Sequence, residues 1–217
     1  MIVGINEDEL NFILNLKKSL MSGTENGGEI LKPDDLLLLD NIMTKYLLIA
    51  SASYFESSIL DDIRHFLNDS FKQNNKHLVQ FFNASILDRG FTSLFDWGRR
   101  ERGDINAFLR KFFGRDSSEA EQIEKSISER EDLQGSILNF YKVILMRNKI
   151  IHNNMHKAEI RYTLEEVVKY YRNSKVFVDN FRYILAGDID LIPVRENSTR
   201  FEDITLKPYK KNEQKGG

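Results

Sequence analysis

The side chains best suited to chemistry lie in one short string, Met146-Arg147-Asn148-Lys149-Ile150-Ile151-His152, at the end of a strongly apolar stretch. On a helix, Asn148 and His152 differ by only about 40° in direction. Arg147 lies roughly 140° around from His152, with a side chain long enough to curl toward the same groove. Histidine exchanges a proton near neutral pH, and a guanidinium offers forked donors to a phosphate that gains charge in a transition state. That combination suits phosphodiester cleavage. A plainer reading also fits, because a helix ending in Arg, Lys and His compensates its own dipole. Arg–His pairs at this spacing also arise by chance in helical proteins.

Two other groups of residues compete for attention. The histidines are His65, His77, His152 and His156. His152 and His156 could share a helix face and ligate a metal, with Glu159 as a third ligand. Yet HNNMH lacks the glutamate that follows the first histidine in metalloprotease helices, and Asn153–Asn154 interrupts helix. No metal site and no cofactor are expected. The aromatics Phe91, Phe95 and Trp97 stand beside Arg99, Arg100 and Arg102. They could stack on unpaired bases while the arginines hold phosphates. Against that, Glu101 and Asp104 dilute the charge, and the rings would equally cap a bundle.

Helices must position these groups. Asn6, followed by Glu7, Asp8 and Glu9, predicts a capped start to a helix burying Leu10, Ile13, Leu14, Leu16 and Leu20 and stopping near Gly23. Pro33, with Asp34 and Asp35 behind it, opens a longer helix reaching about Phe71. Its expected core stripe includes Leu36, Leu39, Ile42, Met43, Tyr46, Leu47, Ala50, Tyr54, Ile59, Ile63 and Phe66. A third helix is expected from about Lys76 to Asp88, and a short one over Ile105–Phe113 closed by Gly114. An acid-rich polar stretch, Asp116 to Asp132, leads into a strong helix from about Leu133 to His152, with Ile137, Leu138, Phe140, Tyr141, Ile144, Leu145 and Ile151 buried. Thr163 ahead of Glu165 and Glu166 caps a last helix running to Leu185 or Ala186 and stopping at Gly187.

Composition sets the outer limits. The 217 residues are 41% hydrophobic and 29% charged, with no cysteine, which excludes thiol catalysis, zinc on sulfur and disulfides. A chain this long buries roughly 70% of its unfolded surface and needs no metal to fold. The formal net charge of −2 argues against a surface coated in base for indiscriminate nucleic-acid binding, though not against a local basic groove. The N-terminus carries acids where a secretory signal carries bases, and no apolar run approaches ~18 residues, so a cytoplasmic protein without a membrane is expected. With prolines only at 33, 193 and 208, the expected architecture is all-α: an antiparallel up-and-down bundle over 1–192, a partly helical insertion around 90–130, and a polar tail over 193–217.

The string R-N-K-I-I-H resembles the Arg-Asn-x-x-x-His signature of HEPN domains, helical ribonucleases and accessory proteins of toxin–antitoxin, CRISPR and abortive-infection systems. The motif sits late in the bundle with one long helix after it. Upstream, A-S-A-S-Y-F-E-S-S-I-L-D-D-I resembles the early HEPN helix, where an acid often faces the motif. The pattern is most similar to the RiboL-PSP-like or MAE-type HEPN subgroups, over about residues 34–186. The resemblance implies an all-α HEPN fold and metal-independent endoribonuclease activity on single-stranded RNA in a toxin or antiviral-defence role. Arg147 would stabilise the scissile phosphate, His152 would transfer protons, and Asn148 would orient one of them. Glu56 would be the acid on the earlier helix, with Asp61 and Asp62 as weaker choices; Lys149 and Asn153 flank the site without a family role, Lys149 being a candidate for RNA binding. It also implies a homodimer in which two motif helices build one RNA groove, and an antitoxin or defence-complex protein as a possible partner. A non-catalytic HEPN-like module binding RNA or protein is the alternative. A plain helical interaction protein is a third.

Overall fold

The computed structural model describes residues 5, 7–25, 32–71, 105–114, 117–153 and 158–194. Among these there is no strand; the elements are seven α-helices and a 3-10 turn at Ile189–Leu191. The helix expected over Lys76–Asp88 lies outside the described residues.

Helix α1 (Glu7–Glu25) starts with its three acids, as a helix dipole favours, and runs past Gly23. Leu10 is buried, with Ile13 and Leu14 packed against the core. Leu16 is 41% exposed, contrary to expectation, because it lies about 120° around the helix from Leu10. Helix α2 (Pro33–Phe71) has the expected bounds. Leu47, Leu48, Phe55, Ile59, Ile63 and Leu67 are buried, whereas Leu37, Leu38, Ile42 and Tyr46 are exposed. The burial expected of Ile42 and Tyr46 therefore fails. Leu36–Leu39 is four leucines in a row, and at 100° per residue such a run must put some of them outward. By length and composition α2 could cross a bilayer, but its buried face is part of the bundle core.

Helix α3 (Ile105–Phe113) ends at Gly114, whose φ of 102° suits glycine. Helix α4 (Ser118–Ser128) occupies the stretch expected to be merely polar and acidic. Ser117 accepts from the Ala120 N–H, and Ala120, Ile123 and Ile127 form a buried stripe three and four residues apart. Helix α5 (Glu131–His152) ends on the chemically suggestive string. Leu138 and Ile151, expected inside, are 47% and 49% exposed.

Helix α6 (Leu164–Val178) opens on a capping box between Thr163 and Glu166. The expected single helix to Ala186 breaks at Asp179–Asn180, and α7 (Phe181–Ala186) follows, closed by Gly187 at φ 77°. Asn180 makes no side-chain cap. Asp62 of α2 supplies it instead, accepting from the Arg182 N–H at 3.1 Å. Burial pushes the Asp62 carboxyl above its usual range, against the opposing pull of that bond and of Arg182.

An aromatic chain joins these helices. Phe55 of α2 stacks on Tyr171 of α6 at 5.6 Å, and Phe140 of α5 meets Phe177 of α6 at 5.0 Å. Phe181 of α7 meets both Phe177 and Phe108 of α3 at 5.4 Å. Each such pair contributes about 0.5–1.5 kcal/mol beyond its area burial. The second half of the 90–130 segment thus shares the main core. Helices α5 and α6 run antiparallel. Ser136 Oγ donates to the Asn173 carbonyl at 2.6 Å and accepts from the Phe177 N–H at 2.8 Å. At the start of α5, Arg130 holds Asp132 with two bonds of 2.7 and 2.8 Å and donates to the Ile189 and Ile192 carbonyls.

Candidate active site

The last two turns of α5 emerge from a helix that is otherwise largely interior. Met146 and Ile150 remain buried and fix its core side, so Arg147, Asn148, Lys149 and His152 are distributed around the remainder. Asn153 closes the helix through its N–H to the Lys149 carbonyl at 3.1 Å.

Arg147 is turned toward α2. Its side chain is 25% exposed, and Nη1 donates to Asn148 Oδ1 at 3.1 Å. Nη2 lies 3.9 Å from Oε2 of Glu56, whose side chain is 33% exposed. At that distance the carboxylate acts as a charge rather than a hydrogen-bond acceptor. Nε is buried and lacks a partner among the described residues. A guanidinium with five N–H donors thus holds one described hydrogen bond. Glu56 reaches it because Phe55 and Ile59, both fully buried, turn the neighbouring face of α2 to the edge facing α5.

The other two acids lie elsewhere. Asp61 pairs with Arg64 at 2.8 Å and Asp62 caps α7. Among the three acids considered, the structure brings Glu56 to the motif.

His152 is exposed and, among the described residues, bonds to neither Arg147, Asn148 nor Glu56. It shares a face of α5 with Leu145 and the exposed Leu138, at intervals of seven residues. Lys149 is exposed beside it. One copy therefore assembles an Arg147–Asn148–Glu56 group and, separately, presents His152 outward. The former can clamp a phosphate, and the latter can give or take a proton.

Arg99, Arg100 and Arg102, with Phe91, Phe95 and Trp97, lie outside the described residues, as do His77 and His156. Glu159 is exposed. Sequence reasoning gave no role to Lys142, a half-buried lysine of α5 whose Nζ sits 4.9 Å over the Tyr170 ring. Burial pushes its ammonium below the usual range, and Lys169 adds to the effect. Its signal in sequence was its place seven residues before Lys149, on the same helix face.

Compared with protein-family models, residues 6–187 match the one described as RiboL-PSP-HEPN. No protein of curated function and no solved structure matches the chain.

Proposed function

From the chain's membership of the RiboL-PSP-HEPN family, we propose that it is a homodimeric, metal-independent endoribonuclease acting on single-stranded RNA. The observation that carries this reading is Arg147: a half-buried guanidinium with one described hydrogen bond, on the helix end that also presents His152 outward. Unmade donors on a partly desolvated cation are costly, and a phosphate would satisfy them.

The proposed reaction is attack of a ribose 2′-oxygen on the adjacent phosphorus with departure of the 5′-oxygen. One His152 accepts the 2′-hydroxyl proton, and a second donates a proton to the leaving oxygen. Arg147 bears the charge that grows on the phosphoryl oxygens. The products are a 2′,3′-cyclic phosphate and a 5′-hydroxyl. Two His152 side chains require two copies, and the outward face of Leu138, Leu145 and His152 is the one on which a second copy would bring them together.

Incubation of the purified protein with labelled single-stranded RNA in excess EDTA tests the scheme. Cyclic-phosphate ends are expected, and His152→Ala and Arg147→Ala should each remove nearly all cleavage while circular dichroism stays unchanged. Asn148→Ala should be milder, since an orienting amide contributes less than a proton donor. Chelator-sensitive cleavage leaving 5′-phosphates, or a folded and fully active His152→Ala variant, refutes the assignment. The isolation of His152 within one copy favours a second reading, an RNA-binding module without turnover. Binding of RNA without cleavage at any protein concentration would identify it.

A further inference from the structure

The groove between α5 and α6 carries cations that this site does not use. Elsewhere, Lys17, Arg64, Arg110, Arg130, Arg172 and Lys175 each lie 2.7 to 3.0 Å from a carboxylate. Among the described residues, Lys142, Lys149, Arg161 and Lys169 have no carboxylate partner. Lys142 instead lies over the Tyr170 ring, near enough to Lys169 to feel its charge. Tyr162, preceded by Arg161, packs edge-on against Tyr170 at 5.5 Å.

The antiparallel register orders these groups along one line. Ser136 meets Asn173 and Phe177, and Lys142 meets Tyr170. Continuing one residue forward on α5 for each residue back on α6 brings Lys149 level with Thr163, the N-cap of α6, which Arg161 and Tyr162 precede in the chain. Lys142 and Lys149 point within about 20° of each other and stand about 10 Å apart along the axis, with His152 one turn further on. Of the carboxylates on this side, one is paired with a cation and one, Glu166, keeps its charge beside Tyr170. Glu166 is bonded to Thr163 in the capping box, Glu165 to Lys17, and Glu159 is exposed on the approach to α6.

We propose that the α5–α6 groove, from the Lys142–Lys169 pair past Tyr162 to Lys149, is a track that grips the phosphate backbone of single-stranded RNA and leads it to His152. The inference rests on the ribonuclease reading above. A cluster of like charges around a half-buried lysine is costly without an anion, and a line of phosphates supplies several. The partly exposed Tyr162 ring favours RNA over an acidic peptide, because a base offers a face to stack on it while a peptide would use only the charges.

The test uses His152→Ala protein, which separates binding from cleavage, and a fluorescent oligouridylate in an anisotropy titration across a salt series. Adding Lys142→Gln and Lys169→Gln should make the log–log salt dependence shallower by about 1.4, two contacts at about 0.7 each on a single strand, and weaken binding at 0.1 M salt on the order of tenfold. Arginine at both positions should restore affinity. Tyr162→Ala should weaken binding while leaving the salt slope unchanged. Lys169→Gln alone, at an exposed position, provides the same reading with half the slope change should the double variant not fold. Unchanged affinity and slope in a folded variant overturn the track and leave the ribonuclease reading standing. Equal displacement of RNA by polyglutamate at matched charge overturns the RNA assignment of the groove. Absence of both RNA binding by the parent and RNA cleavage by the wild type removes the ribonuclease reading itself.

Discussion

Replacing Arg147 by lysine keeps the positive charge but removes the fork that reaches Asn148 and Glu56 together. Two unit charges 3.9 Å apart attract by about 4 kcal/mol at an effective dielectric of 20. A quarter of the Arg147 side chain and a third of Glu56 are in water, and 3.9 Å is too long for a hydrogen bond. Screening therefore reduces the pair's contribution to about 1 kcal/mol or less. Lysine retains part of that and loses the charge-assisted hydrogen bond to Asn148, about 1.5 kcal/mol, part of which the ammonium regains from water. Arg147→Lys should then cost about 1 kcal/mol of stability, a fall of roughly 2–4 °C in Tm for a domain of this size. Activity should respond far more steeply. Loss of one oriented donor set from a developing phosphorane charge costs about 10²–10³ in kcat. Urea melts and a fluorogenic RNA assay on the same preparation separate the two effects. A folded Arg147→Lys variant cleaving within about threefold of wild type refutes the clamp, on the same scale of donor loss. A stability loss of 3 kcal/mol or more would mark Arg147 as a buried structural cation.

Assembly and the groove supply further expectations. Excess His152→Ala subunits mixed with wild type should depress activity beyond dilution, because mixed pairs lack one of two histidines. A monomer by sedimentation that cleaves at full rate rules this out. Lys142→Met should raise stability at neutral pH by a few tenths of a kcal/mol, a gain discounted for the water that still reaches the ammonium. The sign follows from Lys142's lowered pKa. The unfolded chain holds the proton more tightly than the fold, so the cost is fully present below the folded pKa. It disappears as pH rises through that value toward the unfolded 10.5. The charged groups around Lys142 are Lys169 and, beside the Tyr170 ring, Glu166, with the phenol of Tyr162 packed on the same ring. Urea midpoints at pH 7 and pH 10 check the trend, and a Lys142→Met variant less stable than wild type at pH 7 contradicts it.

Helices whose ends carry local signals were legible in the amino-acid sequence. Pro33 and the capping box at Thr163 mark starts, and Gly114 and Gly187 mark stops, each through backbone chemistry that operates within a few residues. Helix α4 was missed because Ala120, Ile123 and Ile127 are only three apolar positions among acids, and their stripe emerges only when a core lies beneath it. The break before α7 was invisible because its cap, Asp62, is 120 residues away. The exposure of Leu138 and Ile42 has the same origin, since periodicity shows that a helix has an apolar side without showing which helices remain to cover it. At the candidate site, the Arg147–His152 string could be read because it is contiguous. The approach of Glu56 to Arg147 depends on how α2 crosses α5. Lys142 was passed over because a lysine in a helix ordinarily reads as solvated, and only the neighbouring helix shows that Tyr170 lies under it.

The hydroxyl of Ser136 has a mechanical consequence. It stands inside a hydrogen bond of α6, taking the Asn173 carbonyl on one side and giving the Phe177 amide an acceptor on the other. A one-turn ratchet of α6 along α5 would strip both partners from a buried hydroxyl, and packed helices shift between discrete positions rather than gliding. Among the described residues this hydroxyl joins the two helices at the end remote from His152. Ser136 thereby sets the register in which Lys142 lies over the Tyr170 ring.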